Sequence, residues 1–219
     1  MVCPACLRGL RVVRQARRPV YAAEATAWLE KYVTMAPPNK FALGSWSFIQ
    51  TKYLPYDAAA IHRQYVAYKA ATKDVPYADW PAGWADLVEL SMLDNHVEEA
   101  AHLADALLEA NLNRPDQVNM GFYSWLTYLL LGNCKHFETN LDASLETLRS
   151  SDAPERNRWD FTATRKFVAD REAQRKLNSS GMSLVTGGMN LLETSTTPAR
   201  IQQFSDLASR TRKDACPAN

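Results

Sequence analysis

Residues 84–108 read WADLVELSMLDNHVEEAAHLADALL, and this stretch is the clearest indication of the fold class of the chain. Apolar residues recur at steps of three and four on both sides of the polar triplet Asp94, Asn95 and His96. That period is typical of amphipathic α-helices, and a short polar break is typical of the turn between two of them. The stretch therefore predicts an antiparallel pair of helices.

The same pattern extends over most of the 219 residues. The helical period and its breaks at proline, asparagine and glycine predict helices over residues 21–35, 41–54, 58–72, 81–93, 96–110, 116–131, 136–149 and 158–177. Strand-like alternation is limited to a weak signal at residues 182–186. Short turns make consecutive helices antiparallel neighbours, and one hairpin cannot bury its apolar face alone. The sequence thus predicts an all-α fold of antiparallel helical hairpins stacked as a short α-solenoid.

The first 20 residues differ in charge from the rest of the chain. They carry five arginines and no acid, whereas the remaining residues carry 20 basic and 24 acidic side chains. The arginines are Arg8, Arg11, Arg14, Arg17 and Arg18. Placed on a helix, four of them recur at steps of three and four beside an apolar stripe of Leu7, Leu10 and Val13, and Pro19 ends the pattern. A basic amphipathic helix of this kind suits an anionic membrane surface or an import receptor.

This arginine-rich opening, MVCPACLRGLR, resembles a mitochondrial presequence of the kind seen in many fungal proteins. The resemblance implies that the protein is located in the mitochondrial matrix. Two alternatives stay open, which are an ordinary first helix of a cytoplasmic protein and an arm that contacts RNA. The predicted organisation is a targeting segment at residues 1–20, a helical-hairpin repeat domain at 21–150, and a basic helix with a less ordered tail at 151–219.

Residues 84–108 also align with residues 128–145, YLLLGNCKHFETNLDASL, about 37 positions further on. The pair resembles the tetratricopeptide repeat, which has a tryptophan and a leucine in its first helix, a tight turn, and small residues in its second helix. Two positions depart from the family pattern, because Asn95 stands at the turn glycine and Phe137 at a small residue. Pentatricopeptide-like or unclassified helical hairpins are the alternatives.

The resemblance implies a concave groove lined by the first helix of each repeat. The predicted groove residues are Glu89, Met92, Leu93, Asn119, Phe122, Leu126, Leu129 and Leu130. Most of them are apolar, so the expected occupant is an apolar helix or peptide of another protein. The alternatives are that the chain's own residues 182–192 fill the groove, or that these residues face another helix of a compact bundle.

The sequence predicts no catalytic, cofactor-binding or metal-binding residues. His96 and His102 are six positions apart and cannot reach one metal from one helix face. The pair Cys3 and Cys6 supplies two of the four ligands that a zinc site needs. Cys134 and Cys216 are far apart in sequence and are expected to be free thiols. Neither a glycine-rich phosphate loop nor a nucleophile elbow occurs.

These observations favour a non-catalytic protein–protein interaction module, such as an assembly factor, an adaptor or a subunit of a complex. An RNA-binding helical-repeat protein of the organelle is the alternative that the basic stretch at residues 156–176 supports, although the acidic excess of the body counts against nucleic acid. An α-helical enzyme without a recognisable motif is the third class. No run approaches 18 uninterrupted apolar residues, so no transmembrane segment is predicted.

Overall fold

The computed structural model describes residues 19–35, 39–110, 114–150, 160–170, 176–194 and 196–216. Over these ranges the protein is all-α, with no strand. Its helices are α1 (Pro19–Met35), α2 (Lys40–Tyr53), α3 (Ala58–Thr72), α4 (Pro81–Leu93), α5 (Val97–Glu109), α6 (Arg114–Leu130), α7 (Cys134–Arg149), α8 (Thr162–Ala169), α9 (Ser179–Thr194) and α10 (Pro198–Ala215). The predicted all-α fold of consecutive, neighbouring helices is confirmed.

The predicted boundaries of the first seven helices agree with α1 to α7 within two residues. Local capping explains where two of them begin. Asn39 Oδ1 accepts hydrogen bonds from the backbone N–H groups of Phe41 and Ala42, at 2.9 and 3.2 Å. Asp57 Oδ1 accepts from the N–H of Ala59 at 2.9 Å. Each cap satisfies donors that the first turn of a helix leaves unpaired.

The chain divides into two compact units, Met1–Leu90 and Ser91–Asn219. The division falls within α4. The first unit contains the hairpin of α1 and α2, whose interface is formed by Ala22, Ala25 and Ile49. Small alanine side chains on α1 let the two helices approach closely.

Aromatic and polar contacts join the other helices of the first unit. Gln64 Nε2 on α3 donates to the carbonyl oxygen of Trp46 on α2, at 3.2 Å. The Tyr68 ring stacks on the Trp80 ring with centroids 5.6 Å apart, and its hydroxyl donates to Asp86 of α4 at 2.7 Å. Both Tyr68 and Trp80 are buried. A stacked aromatic pair with a charge-assisted hydrogen bond therefore fixes α3 against α4.

The second unit has an aromatic core centred on α6. Phe122 lies 4.9 Å from Trp125 and 4.6 Å from Phe161, measured between ring centroids. Helix α6 packs against α5 on one side and α7 on the other, and α9 packs against α10. Gly188 brings the α9 backbone onto α6, because a Cβ at this position would lie 3.0 Å from the Phe122 ring. Every residue from 118 to 130 is consequently buried.

Two turns, 37 positions apart, have the same geometry. Asn95 after α4 has φ of 64° and Gly132 after α6 has φ of 70°. The next N–H group reaches back five residues in both cases, from His96 to Ser91 at 2.8 Å and from Asn133 to Tyr128 at 3.0 Å. This is the Schellman motif, in which a left-handed residue closes the helix. Asparagine tolerates the left-handed region, so Asn95 can stand where a glycine is usual.

The C-terminal third contains the main corrections to the predicted fold. The predicted helix at 158–177 is too long, since α8 ends at Ala169 and Asp170 has extended backbone with ψ of 152°. The weak strand signal at 182–186 is wrong, because those residues lie within α9. The stretch expected to be less ordered includes α9 and α10, which bury Leu184, Met189 and Phe204.

The expectation of free thiols at Cys134 and Cys216 is also wrong. The two residues form a disulfide with a Cα–Cα separation of 5.5 Å, although 82 positions separate them in the sequence. They meet because α7 and α10 pack against each other and the cysteines stand at their ends. Sequence spacing carries no information on such a long-range approach, so the pair could not be predicted from it.

Candidate functional site

Helix α1 presents a row of exposed aromatic side chains. Tyr21, Trp28 and Tyr32 follow one another at steps of seven and four, which places them on one side of the helix. All three are exposed, and Trp28 leaves 63% of its surface in solvent. Of the side chains that pack inward, Ala22 lies about 100° around the helix from Tyr21, whereas Ala25 lies only about 40° from it, at the inner edge of the row.

Helix α2 presents a second row. Phe41 and Phe48 are seven positions apart and are 55% and 41% exposed. They point away from Trp46 and Ile49, which α2 buries completely. A monomeric domain normally turns phenylalanine inward, so two exposed rings at helical spacing indicate a surface that is covered by something else.

The two rows lie on the same side of the first hairpin. Glu30 of α1 forms an ion pair with Arg63, so the flank of α1 that carries Glu30 faces α3. A rotation of 100° per residue places Trp28 on the opposite flank. On α2, the buried Gln50 marks the side near α3, and Phe48 points away from it. Tyr21, Trp28, Tyr32, Phe41 and Phe48 therefore form one surface directed away from α3, called here the aromatic face.

Lysines border the aromatic face. Lys31 Nζ lies 5.8 Å from the centroid of the Trp28 ring, and Lys52 Nζ lies 5.1 Å from the centroid of Phe48. At these distances the ammonium group is attracted by the electron-rich ring face. The aromatic face is thus an apolar surface whose margin carries Lys31 and Lys52 together with the exposed Glu24, which lies one helical turn from Trp28.

The other side of the hairpin has a cleft of about 570 Å³ between α1, α2 and α3. Its charged groups are already engaged, Arg63 with Glu30 and Asp57 as the cap of α3. The hydroxyl group of Thr26, which also lines the cleft, is buried without a hydrogen-bond partner. One unsatisfied hydroxyl beside a closed ion pair does not define the chemistry of a ligand, so the cleft is the weaker candidate.

A polar cluster in the second unit joins three helices through Asp105. Its carboxylate accepts hydrogen bonds from Ser124 Oγ at 2.7 Å, from the Tyr128 hydroxyl at 2.6 Å and from Asn140 Nδ2 at 3.3 Å. Burial first, and then the hydrogen bond from Tyr128 to Asp105, raise the pKa of Tyr128 to about 12. Tyr128 is therefore a protonated donor at neutral pH, and the cluster serves to hold α5, α6 and α7 together.

The predicted groove residues are placed in the interior. Met92, Leu93, Asn119, Phe122, Leu126, Leu129 and Leu130 are all buried, and Glu89 is partly buried. Phe122 is covered by the chain's own α9, which includes residues 182–192. A partner can reach these side chains only if the covering helices move. Residues 182–192, the alternative occupant that the sequence offered, lie within the helix that covers Phe122, and the sequence did not predict the aromatic face.

Other predicted features have simpler positions. The targeting residues Arg8, Arg11, Arg14, Arg17 and Arg18 lie outside the described residues. His96 faces Asp94 at 3.2 Å, and His102 is exposed on α5. Within the described ranges, acidic, histidine and cysteine side chains form no group of three or more that could hold a metal ion. None of the described helices combines the length and the apolar character needed to cross a membrane.

Comparisons with protein-family models, with curated proteins and with solved structures found no match to this chain. The surfaces and contacts of the chain itself are therefore the basis for its proposed function.

Proposed function

We propose that this protein is a protein–protein interaction module that binds a partner through the aromatic face of α1 and α2. The observation that carries the proposal is the set of five exposed aromatic side chains on one side of one hairpin. Tryptophan and tyrosine are enriched among the residues that dominate binding energy at interfaces. They supply a large contact area and lose little conformational entropy when they become ordered.

The partner that fits this surface is an apolar helix of another protein with acidic residues along its margins. Rows at steps of seven and four match the apolar stripe of such a helix, and Lys31 and Lys52 provide the complementary charge. The proposed partner is therefore still the apolar helix predicted from the sequence, but we propose that it binds the aromatic face and not the predicted groove.

A role as an assembly factor, adaptor or complex subunit agrees with this proposal. The resemblance to tetratricopeptide repeats, a family of interaction modules, supports it further. Positions that the repeat alignment pairs are buried in both copies: Ala100 with Phe137, Ala104 with Leu141, and Leu107 with Ser144. We therefore propose a degenerate repeat of this type for residues 84–145.

Affinity purification of the tagged chain tests the proposed surface. The variant Trp28→Ser/Phe41→Ser/Phe48→Ser should reduce recovery of a specific partner at least about tenfold, because buried aromatic anchors each contribute well over 1 kcal/mol. The matched control is Val66→Ser, since Val66 is exposed on α3 outside the aromatic face. Both variants should keep the wild-type helical circular dichroism. Equal recovery with both would refute the aromatic face as the docking site.

RNA binding is the second candidate, and a specific observation supports it. Lysines lie over two exposed rings of the first unit, in the pairs Lys31 and Trp28 and Lys52 and Phe48, and over the buried rings of Trp80 and Tyr65. Rings next to cations are typical of single-strand binding surfaces. Residues 19–90, however, have six basic and seven acidic side chains. Retention on single-stranded RNA that falls steeply with salt would favour this candidate over the first.

We also propose that residues 1–20 direct the protein to mitochondria. Replacing Arg8, Arg11 and Arg14 by glutamate should stop uptake by isolated mitochondria, since import depends on the basic face of the segment. Uptake at the wild-type rate would refute this proposal.

Disulfides persist in oxidising compartments and are rare in reducing ones. Fractionation should therefore compare the matrix with the intermembrane space, because the disulfide of Cys134 and Cys216 favours the latter.

A further inference from the structure

We propose that the disulfide between Cys134 and Cys216 is a redox latch that holds the hairpin of α9 and α10 on α6 and α7. This inference is independent of the aromatic face, because every contact that carries it lies in the second unit. It assigns a regulatory role to two cysteines that sequence spacing leaves unrelated.

The latch closes one end of a helix pair. Cys134 is the first residue of α7, and Cys216 follows the last residue of α10. Further along, Arg212 Nη1 donates to Asp142 Oδ1 at 2.9 Å, and Arg149 Nη2 donates to Ser205 Oγ at 3.0 Å. From Cys134 to Arg149 along α7, the contacted residues of α10 follow in reverse order, from Cys216 to Ser205. The two helices are therefore antiparallel, and the disulfide is their only covalent link among the described residues.

The hairpin covers an apolar surface of α6. Gly188 lets α9 approach α6 closely, because a Cβ at this position would lie 3.0 Å from the Phe122 ring and 3.1 Å from the Trp125 ring, whereas Gly187 faces Leu207 of α10. Phe204 of α10 lies 6.4 Å from Trp125, between ring centroids. Both Phe122 and Trp125 are buried. They would become accessible to solvent if the hairpin moved away.

The non-covalent polar contacts between α7 and α10 are weak by comparison. The side chains of Arg212 and Asp142 are 36% and 62% exposed, and exposed ion pairs contribute little to stability. The disulfide joins residues 82 positions apart and therefore reduces the number of conformations that the opened chain can adopt. In the loop-closure description this reduction is about 1,000-fold. Breaking the disulfide should thus raise the open population of the hairpin far more than loss of the ion pair.

Thiol–disulfide exchange with an external dithiol would open the latch. One thiolate of the dithiol attacks Sγ of Cys134, which is less buried than Cys216. The bond between the two protein sulfurs breaks, and Cys216 leaves as a thiolate that takes up a proton. The second thiolate then attacks the mixed disulfide and releases Cys134. The protein gains two electrons and two protons, and the dithiol becomes a disulfide.

Hydrogen–deuterium exchange of the full chain tests this inference. A Cys3→Ser/Cys6→Ser background leaves Cys134 and Cys216 as the only cysteines, so dithiothreitol acts on one bond. Reduction should accelerate exchange in α9 and α10 at least about 100-fold, because local opening is no longer restrained. Peptides from α2 and α3 provide the internal control and should be unchanged, and α6 and α7 should keep most of their protection.

Three results would overturn the latch. The first is equal protection of α9 and α10 in the oxidised and reduced protein. The second is simultaneous loss of protection in α6 and α7, which would make the disulfide a staple of the whole unit. The third is the absence of a linked Cys134–Cys216 peptide after incubation with oxidised glutathione. A Cys134→Ser/Cys216→Ser variant should exchange like the reduced protein with or without dithiothreitol. If that variant does not fold, reduction of the folded chain supplies the same comparison.

Discussion

The two units differ in where they place their large aromatic side chains, because the first unit buries Trp46 and Tyr68 but also exposes five aromatic rings. Among the described residues, the large hydrophobic side chains that are exposed are Tyr21, Trp28, Tyr32, Phe41, Phe48 and Val66, and all belong to the first unit. The second unit buries Phe122, Trp125 and Phe137 completely. Aromatic residues therefore stabilise the cores of both units, and the first unit carries additional rings on its surface, where we propose that a partner binds.

Tryptophan truncation should give the largest difference between the units. Trp125→Ala is expected to lower the free energy of unfolding by about 4 kcal/mol, because it leaves a cavity in the core of the second unit. Trp28→Ala should change it by less than about 0.5 kcal/mol, since this side chain is mostly in solvent. Urea denaturation of both variants measures the contrast. Equal losses would mean that Trp28 is part of a core.

The Asp105 cluster offers the next test. Asp105→Ala leaves the donors on Ser124, Tyr128 and Asn140 without this acceptor, and should reduce the free energy of unfolding by about 3 kcal/mol. Asp142→Ala is the matched control, because Asp142 forms a surface ion pair, and its loss should amount to about 0.5 kcal/mol or less. Similar denaturation midpoints for the two variants would argue against a cluster that joins three helices.

Overpacking at Ala100 should have a smaller effect. Ala100 is completely buried on α5, and Ala100→Phe is expected to destabilise the protein by about 2 kcal/mol as the neighbouring helices are pushed apart. Ala106 lies on the exposed side of the same helix, so Ala106→Phe controls for helix propensity. Thermal unfolding should show a lower melting temperature for the first variant alone. An unchanged melting temperature for Ala100→Phe would place α5 in a different register.

The smallest expected effect concerns the Tyr68–Asp86 pair of the first unit. Burial raises the pKa of Asp86 from 3.8 to about 6, while the hydrogen bond from Tyr68 lowers it. The folded state therefore binds this proton more tightly than the unfolded state, and its contribution to stability declines as pH rises from about 4 to about 6. Asp86→Asn removes that decline and keeps an acceptor for Tyr68.

Urea denaturation at pH 4 and pH 7 measures this contribution. Relative to the wild type, Asp86→Asn should be more stable at pH 7 than at pH 4 by about 1 kcal/mol in unfolding free energy. The expected value is small because Asp86 is partly exposed. Asp57→Asn, at an exposed helix cap, is the control. A shift in the opposite direction would contradict the raised pKa.

Much of the fold could be predicted because α1 to α7 have a helical period interrupted at clear breaks. The prediction failed where that signal was weak. Residues 178–188 are rich in glycine and serine, which usually indicate a loop. Here Gly187 and Gly188 lie within α9. Glycine is required at these two positions because a larger side chain would collide with Leu207 or with Phe122. Tertiary packing, which the local sequence does not contain, selects the helix.

The site was harder to predict than the fold. The spacing of Tyr21, Trp28 and Tyr32 is visible in the sequence, but periodicity alone does not tell which side of a helix is buried. The groove residues of α6 illustrate the same point. The run GFYSWLTYLLL is apolar or small on every side, and its residues 121–130 are buried, in part by α9, which contains the residues 182–192 given as an alternative occupant of the groove. A helix that is apolar all round is typical of a core position.

Site-specific photo-crosslinking in cells directly tests whether a partner binds the aromatic face. A photoreactive phenylalanine analogue placed separately at Trp28, Phe41 and Phe48 should crosslink to one and the same partner protein, identified by mass spectrometry. The analogue at the exposed positions Glu138 and Asp206 of the second unit should not yield that product. Crosslinks to the common partner from positions 138 and 206 alone, or no product from the three aromatic positions, would contradict the account.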